Sequence, residues 1–328
     1  MGFPPRGSPS PRLRRFTGRP TRVALMWKPA RGRIAALRAR GYRPRRHRAI
    51  RRGERPSLSS EESGSQMRAQ LLIVVPTYEE ASNVPPLIAR IDEVRRARTF
   101  DVLVVDDRSP DGTADLVRQF QDDRAWLHLL ERPRPMGLGS AYRDGFAWGR
   151  SFGYDRIGEM DADLSHDPAT IPALDDAVRS GASLAIGSRY VDGGGTQGWP
   201  WHRRILSRGA NRFARSALRL PTRDVTAGFR IYDRTAIDVV LGDGTDCDGY
   251  GFQVECVALV TRAGLDVREV PIVFRDREHG SSKMSMSTIV EAAGRCLDMS
   301  LEHHARRAIT VAGEPRPVAI DRAAGSTP

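Results

Sequence analysis

Short hydrophobic runs alternate with helical patterns in the chain from Arg68 onward. The runs are rich in Val, Ile and Leu, and the segments between them repeat apolar residues at helical spacing. We predict strands at 70–75, 101–105, 126–130, 156–160 and 183–187, with helices near 83–97, 112–121, 138–151 and 168–180. This alternation is typical of βαβ units, so the predicted fold class is α/β with a mostly parallel sheet flanked by helices.

Acidic segments follow three of the predicted strands. The first strand ends in PTYEE from Pro76, the second in DDRSPDG from Asp106, and the fourth in DADLSHDP from Asp161. Ligands of an open parallel sheet bind beyond the carboxyl ends of its strands. We therefore expect the three segments to converge on one binding site.

The spacing of Asp161 and Asp163 predicts a cation site. One residue separates them, so in an extended backbone both carboxylates leave on the same side. Carboxylate oxygens suit Mg²⁺ or Mn²⁺, and a cation held by few carboxylates is usually completed by substrate phosphates and water. A nucleotide diphosphate fits that requirement. The alternative is a polar turn capped by Asp and Pro at the start of a helix.

The pair Asp106 and Asp107 follows a strand of Val and Leu, so one carboxylate is expected at the sheet edge, where ribose hydroxyls or a base would bind. A helix N-cap by Ser109 or Asp111 explains the same segment in structural terms. Both interpretations stay open at this point.

A glycine pair, Gly137 and Gly139, follows the third predicted strand. Tyr142 occupies the position of the third glycine in the dinucleotide-binding pattern GxGxxG, which argues against a dehydrogenase. The sequence also lacks GxxxxGK[ST], so a P-loop NTPase is not indicated. We expect the glycine pair to allow close helix packing or the approach of the backbone to a sugar nucleotide.

Positive charge is concentrated at the amino-terminal end. The formal net charge is +12, but residues 1–66 hold 18 Lys and Arg against 3 Asp and Glu, and the rest holds 34 against 37. Rich in Arg, Pro, Gly and Ser, this extension is predicted to be disordered. Three interpretations stay open. The extension is an unstructured arm or a translation artefact, with Met67 as the true start; it is a functional arm that binds anionic lipid or nucleic acid; or it is a transit peptide. The predicted folded domain covers 67–300, followed by a helix end and disordered tail at 301–328.

Any contact with a membrane is expected to be peripheral, because no apolar run approaches the roughly 18 residues that span a bilayer. Residues 199–220 predict an amphipathic helix whose arginines and apolar stripe would lie in the headgroup layer. The stripe consists of Leu206, Ala210, Phe213 and Ala217, with Trp199 and Trp201 at the start. The alternative is a helix packed on the sheet with a solvated arginine face. Residues 286–309 are a second amphipathic candidate.

Three cysteines, Cys247, Cys256 and Cys296, are too few and too irregularly spaced for a disulfide framework or a zinc site. This cysteine usage points to a reducing compartment.

The order of these motifs resembles that of the family 2 glycosyltransferases with the GT-A (Rossmann-like) fold. It resembles more narrowly the dolichol-phosphate or polyprenol-phosphate mannose synthases of the type without a carboxyl-terminal transmembrane domain. The resemblance runs from about Leu71 to Leu297. It rests on PTYEE, VVDDRSPDGT, GLGSAYRDGF, MDADLSHDP, GSRY, SRGANRFA, DVTAGFRIY, GYGFQVE and EVPIVFRDREHGSSK. Each segment alone is modest evidence, but their joint order is highly specific.

The resemblance implies roles for individual residues. A guanosine and ribose pocket would be lined by Pro76, Tyr78, Glu80, Val105 and Asp107. The diphosphate and metal would meet Asp161, Ala162 and Asp163, and phosphate would be bound by Arg189, Arg277 and Lys283. Ser165 stands where some relatives have a glutamine metal ligand, so it would reach the metal directly or through water. Two further departures from the family pattern are Glu79, where Asn is frequent, and Arg108, where Gly is usual.

The resemblance also implies a reaction and its partners. Mannose would pass from GDP-mannose to a polyprenyl phosphate in a step that depends on Mg²⁺ or Mn²⁺. Because the sequence offers no plausible covalent nucleophile, direct attack would invert the anomeric carbon and give a β-mannosyl product. The enzyme would work on the cytoplasmic face of an anionic membrane, with or without a membrane-anchoring protein.

Competing functions remain at this stage. A polyprenyl-phosphate glucosyltransferase that uses UDP-glucose would share the fold and the lipid. Nucleic-acid binding through the arginine-rich extension is not expected as the primary function. A non-catalytic scaffold would be expected to lack the acidic residues Asp161 and Asp163, which are present.

Overall fold

The computed structural model describes residues 70–242, 245, 247, 249, 251–276 and 294. The predicted extension over residues 1–66, the tail at 301–328 and, apart from Gly294, the second amphipathic candidate at 286–309 lie outside these residues. The division into domains therefore stays a prediction.

The described chain contains a seven-stranded sheet and a two-stranded sheet. The strands are β1 Leu71–Thr77, β2 Asp101–Asp106, β3 Leu127–Glu131, β4 Arg156–Glu159, β5 Leu184–Ser188, β6 Gly195–Gln197, β7 Arg230–Asp233, β8 Val267–Pro271 and β9 Val273–Arg275. The larger sheet has the order β3-β2-β1-β4-β7-β5-β8, and β6 pairs with β9. Within the larger sheet β7 runs antiparallel to its neighbours β4 and β5, and the other pairs are parallel.

Seven α-helices connect or follow these strands in the described chain. They are α1 Val84–Arg95, α2 Thr113–Gln121, α3 Leu138–Phe152, α4 Ile171–Arg179, α5 Trp201–Leu218, α6 Arg234–Gly242 and α7 Gly251–Arg262. A 3₁₀ turn, Pro168–Thr170, precedes α4, and the side chain of Asp167 accepts a hydrogen bond from Ala169 N–H at its start. The helix-capping alternative for this segment is thus a real feature of the turn, three residues beyond the predicted cation ligands.

Two apolar clusters cover the two faces of the sheet. Alternate residues of β1 point to opposite sides, with Leu72 and Val74 packing toward α3, α6 and α7, and Leu71, Ile73 and Val75 packing toward α1 and α4. These strand residues are almost fully buried, as expected for a sheet covered on both sides. The molecule is therefore a three-layer α/β/α structure, and its α/β class is confirmed.

Helix α3 lies unusually close to the sheet. A Cβ atom added at Gly145 would come within 2.4 Å of Cγ1 of Val74, and one added at Gly149 would come within 2.7 Å of Cδ1 of Ile157. The two glycines therefore set the separation between α3 and the strands β1 and β4. This fixes the position of the amino end of α3 near the carboxyl edge of the sheet.

The structure agrees with the five predicted strands and four predicted helices to within a few residues at each end. The antiparallel strand β7 was not predicted. It has four residues, RIYD, and two of them are charged, so it lacks the apolar run that identifies a buried strand. In the residues that the structure describes, no helix is long and apolar enough to cross a membrane.

Candidate active site

The parallel strands β1, β2 and β4 end at the same edge of the sheet, and the loops that follow them meet there. In the register of the sheet Thr77 of β1 lies beside Asp106 of β2, and Val74 lies beside Glu159 of β4. The hydroxyl of Thr77 donates to Oδ1 of Asp106 over 2.9 Å. The convergence expected from the sequence is therefore seen for all three acidic segments.

The loops after β1 and β2 are joined by hydrogen bonds. Ser109 donates from its backbone N–H and its hydroxyl to the carboxylate of Asp106, at 2.9 and 2.6 Å. The same hydroxyl accepts the N–H of Glu79 at 3.0 Å. Asp111 accepts the N–H of Ala81 at 2.9 Å. Asp106, Ser109 and Asp111 thus have a structural role in holding the loops together. The N-cap residue of α2 is Gly112, with no side-chain cap hydrogen bond, so neither Ser109 nor Asp111 is the predicted N-cap.

Asp107 is held by an ion pair below the glycine pair. Its Oδ1 lies 2.7 Å from Nη1 of Arg132, whose side chain is 2% exposed. Its Oδ2 accepts the N–H groups of Met136 and Gly137 at 3.2 and 3.3 Å. Burial raises the pKa of Asp107, while these N–H groups and Arg132 act in the opposite direction. Asp107 therefore fixes the turn that leads into α3.

The remaining residues of the predicted guanosine pocket differ in exposure. Pro76, Tyr78 and Glu80 are partly exposed at the carboxyl edge, and Glu80 accepts a hydrogen bond from Asn83 at 2.6 Å. Val105 is fully buried and belongs to the apolar cluster beneath α3. Its side chain therefore packs in the core instead of lining a pocket, and its backbone lies in the sheet between β1 and β3.

Asp161, Asp163 and Ser165 lie in the loop after β4. The side chain of Asp161 is 31% exposed, whereas Asp163 and Ser165 are buried. Oδ1 of Asp163 accepts the N–H of Ser165 at 3.1 Å. Oγ of Ser165 is buried and has no hydrogen-bond partner among the described residues. Ala162, between the two aspartates, is buried in the apolar cluster on the α1 side.

The set of two carboxylates and one hydroxyl fits a hard divalent cation. These are oxygen donors of the kind that Mg²⁺ and Mn²⁺ take, and an unpartnered buried hydroxyl is an available further donor. The described part of the chain has no group of three or more His, Cys, Asp or Glu residues that could hold a metal ion. A cation held by this set would therefore need oxygens from a substrate or water to complete its ligands.

His166 supports the backbone of Asp161. Its Nδ1 accepts the N–H of Asp161 at 3.2 Å, so this nitrogen carries no proton. The ring stacks on Phe229 with centroids 5.0 Å apart. Burial lowers the pKa of His166 to about 4, which keeps the imidazole neutral at neutral pH. This role was missed from the sequence, although the histidine lies inside the DADLSHDP segment.

Tyr142 of α3 reaches the same aspartate. Its hydroxyl donates to Oδ1 of Asp161 over 3.2 Å, and its ring stacks on Phe252 of α7. A Cβ atom added at Gly139 would meet the carbonyl oxygen of Cys247 at 2.3 Å and Cβ of Phe252 at 3.0 Å. The predicted close packing at this glycine is thus confirmed. It brings α3 near enough to α7 for Tyr142 to contact Asp161.

Three loop residues at this edge have left-handed backbone conformations. The φ angles are 57° at Glu79, 59° at Arg108 and 62° at Leu164. Non-glycine residues rarely adopt this conformation, although Asn does so more readily than most. The Asn and Gly that the motif resemblance leads us to expect at the first two positions would suit this conformation. This chain retains the conformation with residues less suited to it.

Arg189 is almost completely buried and paired with Asp224. Its Nε and Nη2 donate to the two carboxylate oxygens at 2.7 and 2.6 Å, and Nη2 also donates to Thr226 at 2.8 Å. Burial opposes both charges, but their mutual attraction raises the pKa of Arg189 and lowers that of Asp224. The guanidinium fork that we expected to grip a phosphate is thus occupied by Asp224. Asp224 was not identified from the sequence, although it begins the DVTAGFRIY segment.

A buried polar network lies behind the aspartates. Glu159, at the end of β4, accepts hydrogen bonds from Tyr232 at 2.8 Å and Gln253 at 3.2 Å. Nε of Arg230 lies 3.5 Å from the same carboxylate, and both side chains are fully buried. Burial raises the pKa of Glu159 to about 7, against the opposing influence of Arg230 and the two hydrogen bonds. The network connects β4, β7 and α7 directly beneath the site and was not predicted.

Helix α5 corresponds to the predicted amphipathic helix, but a different face packs on the core. Its buried residues are Asn211, Ala214 and Leu218. Leu206 and Phe213 of the predicted apolar stripe are 41% and 42% exposed, and Trp201 and Ile205 are also exposed. Trp199 is buried, with Arg203 stacked 4.2 Å from its ring centroid, so it is not a surface anchor. The exposed apolar side chains are therefore the part of α5 left for another partner.

Two predicted phosphate-binding residues, Arg277 and Lys283, lie outside the described residues. Their role stays a prediction.

The model of glycosyl transferase family 2 matches residues 72–241, a span that contains the loops described above. The chain belongs to glycosyltransferase family 2. This confirms that the protein is a glycosyltransferase, as predicted from its motifs.

Among family 2 members, the chain is similar to proteins named as mannosyltransferases or mannose synthases of polyprenyl phosphates. It is 41% identical over 260 residues to polyprenol monophosphomannose synthase of Mycolicibacterium smegmatis, covering 78% of this chain and 97% of that protein. It is 42% identical over 223 residues to undecaprenyl-phosphate mannosyltransferase of Micrococcus luteus, covering 68% and 90%. The dolichol-phosphate mannosyltransferase of Pyrococcus furiosus is 34% identical over 221 residues, covering 67% and 60%. These relatives confirm the resemblance stated from the motifs.

Solved structures of other glycosyltransferases share the fold. Glucosyl-3-phosphoglycerate synthase from Mycobacterium tuberculosis, in complex with Mn²⁺, UDP and glucosyl-3-phosphoglycerate, has a TM-score of 0.51 and 17% identity over 76% of this chain and 82% of that chain. Mannosyl-3-phosphoglycerate synthase from Rubrobacter xylanophilus has a TM-score of 0.56 and 16% identity over 72% and 75%. At this identity the likeness concerns the fold alone, and it confirms the GT-A prediction for this family 2 enzyme.

Proposed function

We propose that this family 2 enzyme transfers mannose from GDP-mannose to a polyprenyl phosphate, with Mg²⁺ or Mn²⁺ as cofactor, at the cytoplasmic face of a membrane. The observation that carries the proposal is the pair Asp161 and Asp163 at the carboxyl end of β4, in a chain that spans nearly the whole length of a polyprenol monophosphomannose synthase. The names of the related enzymes support mannose as the sugar and polyprenyl phosphate as the acceptor. GDP as the nucleotide follows from the motif resemblance.

The donor nucleotide would bind over the loops that follow β1 and β2. Pro76, Tyr78 and Glu80 are partly exposed there and would contact the base and ribose. The carboxylate of Asp107 is largely occupied by Arg132 and two backbone N–H groups, so it would act mainly by fixing this surface. A fixed surface loses little entropy when the nucleotide binds.

Asp161, Asp163 and Ser165 would hold the divalent cation. When bound, the cation would offset negative charge that develops on the diphosphate leaving group. Tyr142 and His166 contact Asp161 at its carboxylate and its backbone N–H, respectively. These contacts restrict the orientation of the aspartate before the substrate arrives, which is the arrangement that supports metal ligands in proteins generally.

The transfer itself would be a single displacement. An oxygen of the acceptor phosphate forms a bond to the anomeric carbon of mannose as the bond from that carbon to the GDP oxygen breaks, and the bonding electrons leave with GDP. A phosphate monoester has a second pKa near 6, so the acceptor is largely dianionic at neutral pH and needs no strong general base. Attack opposite the leaving group inverts the anomeric carbon and gives a β-mannosyl phosphate.

Arg189 would face the acceptor as one half of its ion pair with Asp224, which offsets most of its positive charge. Its Nε and Nη2 are bound to Asp224, so a phosphate would meet the remaining edge of the guanidinium and not its fork. The rings of Tyr190, Trp199 and Phe274 surround the group with centroids 5.2 to 5.7 Å away. These rings limit the motion of the Arg189 guanidinium at the surface where the reacting phosphate oxygens would change their charge.

The proposal is tested by transfer of labelled mannose from GDP-mannose to a short polyprenyl phosphate. Activity should require Mg²⁺ or Mn²⁺, should disappear with excess chelator, and should be lost in Asp163→Ala but retained in Asp123→Ala, a surface control. UDP-glucose in place of GDP-mannose should give little product. Turnover that is undiminished in chelator would contradict the metal requirement, and an α-mannosyl product identified by NMR would contradict the single displacement.

Membrane association would use the exposed apolar residues of α5. Leu206→Asp and Phe213→Asp should weaken co-sedimentation with liposomes by about fivefold, because a charge replaces apolar surface that would enter the headgroup layer. Binding of GDP-mannose, measured by calorimetry, should not change. Unaltered sedimentation of the double variant would remove α5 as the contact and favour a separate anchoring protein.

A further inference from the structure

An open cavity of about 640 Å³ lies between α5 and the segment that follows β5. Five arginines line it, namely Arg189, Arg208, Arg212, Arg215 and Arg223. Arg189 is the single member that also belongs to the predicted active-site residues. The cavity is therefore a separate concentration of positive charge beside the catalytic surface.

Most of this charge has no carboxylate partner among the described residues. Arg189 is neutralised by Asp224, and Arg223 has Asp192 at 3.7 Å, where both side chains are well exposed and the attraction is weak. The described residues offer Arg208, Arg212 and Arg215 no ion pair. Nε of Arg215 is buried and lacks a hydrogen-bond partner among them. Uncompensated guanidinium groups that share one cavity favour an anion between them.

The three arginines without an ion pair in the described chain lie on one stripe of α5, at intervals of four and three residues, and Arg215 also donates to the carbonyl oxygen of Pro221 at 3.3 Å. Like charges at this spacing cost a helix a few tenths of a kcal/mol per pair, so the arrangement is not explained by helix stability. It is explained if the stripe serves a ligand.

Hydrogen bonds fix the wall of the cavity. Asn211, 2% exposed, accepts the N–H of Val225 at 2.9 Å and donates to Thr226 at 2.9 Å. The hydroxyl of Tyr190 donates to Ser207 of α5 at 2.7 Å. These contacts attach α5 to the segments after β5 and before β7. The arginine stripe is thus held over the cavity before any ligand binds.

A phosphate group suits this cavity in charge and size. Guanidinium groups bind phosphate oxygens in paired hydrogen bonds, and the volume is in the range of pockets that hold small ligands. The exposed apolar residues Trp201, Ile205 and Leu206 lie on the same helix, so a phosphate with an acyl chain attached would find both kinds of surface. We propose that the cavity binds the phosphate headgroup of an anionic membrane lipid other than the acceptor substrate.

The test compares two pairs of substitutions in α5 and its C-cap residue Arg219, with the same change in charge. Arg208→Gln with Arg212→Gln removes cavity arginines, and Arg204→Gln with Arg219→Gln removes exposed arginines that do not line the cavity. Each protein is sedimented with phosphatidylcholine vesicles, with and without phosphatidylglycerol. The cavity pair should lose at least about fivefold more affinity for the phosphatidylglycerol vesicles than the control pair does. Equal losses in the two pairs would mean diffuse surface charge and would overturn the proposal.

A second arm distinguishes a lipid headgroup from free phosphate. Inorganic phosphate and glycerol phosphate are titrated into the wild-type protein, and binding is followed by the thermal midpoint Tm. We expect only a weak increase in Tm, abolished in the cavity pair. Saturation by inorganic phosphate with an affinity similar to that for the vesicles would overturn the lipid assignment. Neither arm contains a sugar donor or a polyprenyl phosphate, so failure of the proposed mannosyl transfer would not affect the outcome.

Discussion

A pair of aspartates stands at the end of β2, Asp106 with Asp107, and another follows β4, Asp161 with Asp163, yet the two pairs are held differently. In the β2 loop, Asp106 is bound by Thr77 and Ser109, and Asp107 is paired with the buried Arg132. In the β4 loop, Asp161 keeps almost a third of its side chain exposed, and a buried hydroxyl on Ser165 has no partner among the described residues. The first loop uses its carboxylates for structure, whereas the second leaves oxygen donors for a ligand.

Two aspartate pairs that look alike in the sequence should therefore differ in whether their removal lowers activity or stability. Loss of a carboxylate from the β4 loop should reduce catalysis and leave the fold intact. Disruption of the β2 loop should reduce stability first, because it leaves a buried charge without its partner.

The largest effect is expected for Asp161→Asn and Asp163→Asn. Each change removes a negative charge from the proposed cation site while keeping the shape of the side chain, so mannosyl transfer should fall by about 1000-fold or more. The free energy of unfolding, measured with urea, should change by less than about 1 kcal/mol. Asp123→Asn is the control with full activity. Variants that retain a tenth or more of wild-type activity would contradict the assignment of the cation site to the β4 loop.

Arg132→Met should instead lower the free energy of unfolding by about 3 kcal/mol, because Asp107 would remain buried without its ion pair. The measurement is urea unfolding followed by circular dichroism. Arg118→Met, in an exposed ion pair of α2, should cost less than about 1 kcal/mol. An equal loss of unfolding free energy in the two variants would show that the buried ion pair of Arg132 contributes no more to stability than the exposed ion pair of Arg118.

Ser165→Ala sharpens the comparison within the β4 loop. If the hydroxyl binds the cation directly or through water, the Mg²⁺ or Mn²⁺ concentration for half-maximal activity should rise by about tenfold. Stability should not fall, since the oxygen has no protein partner among the described residues to lose. Ser151→Ala on α3 is a suitable control. An unchanged metal dependence would exclude the serine from the cation site.

The smallest effect is expected for Glu79→Asn, in the loop after β1. Asn adopts the left-handed conformation at lower cost than Glu, so the free energy of unfolding should rise by about 0.5 kcal/mol with activity unchanged. Glu93→Asn, on the exposed face of α1, should have the opposite sign because Asn is a poorer helix former. A loss of stability in Glu79→Asn would contradict the conformational explanation for the family's Asn at this position.

Much of the fold could be predicted because its strands and helices carry strong local signals. The buried runs of β1 and β2 are continuous in Val, Ile and Leu, and their period differs clearly from that of α3. Strand β7 escaped prediction because its buried polar side chains, Arg230 and Tyr232, bond to Gln253 and Glu159, which are distant in sequence. A charged residue such as Arg230 is recognisable as a core residue only after its partners are known.

The candidate site was predicted in part for the same reason. The aspartates were found because their spacing has a chemical meaning that is readable without the fold. Arg189 was predicted to bind phosphate, but its partner Asp224 lies 35 residues away in sequence, and no local pattern connects them. The face of α5 that packs on the core was not predicted, because Asn211 is buried through bonds to Val225 and Thr226 that the helical period does not reveal.

The antiparallel strand β7 has one further consequence. It lies between β4 and β5, so the ends of those two strands, and hence Asp161 and Arg189, are separated by two inter-strand spacings, or about 10 Å. Since β7 runs in the opposite direction, the segment entering it crosses this gap and brings Gly228 beside Asp161, where an added Cβ atom would lie 3.5 Å from both carboxylate oxygens. If Asp161 and Arg189 lie beside the departing and the incoming phosphate as proposed, the inserted strand sets the distance between the two phosphates.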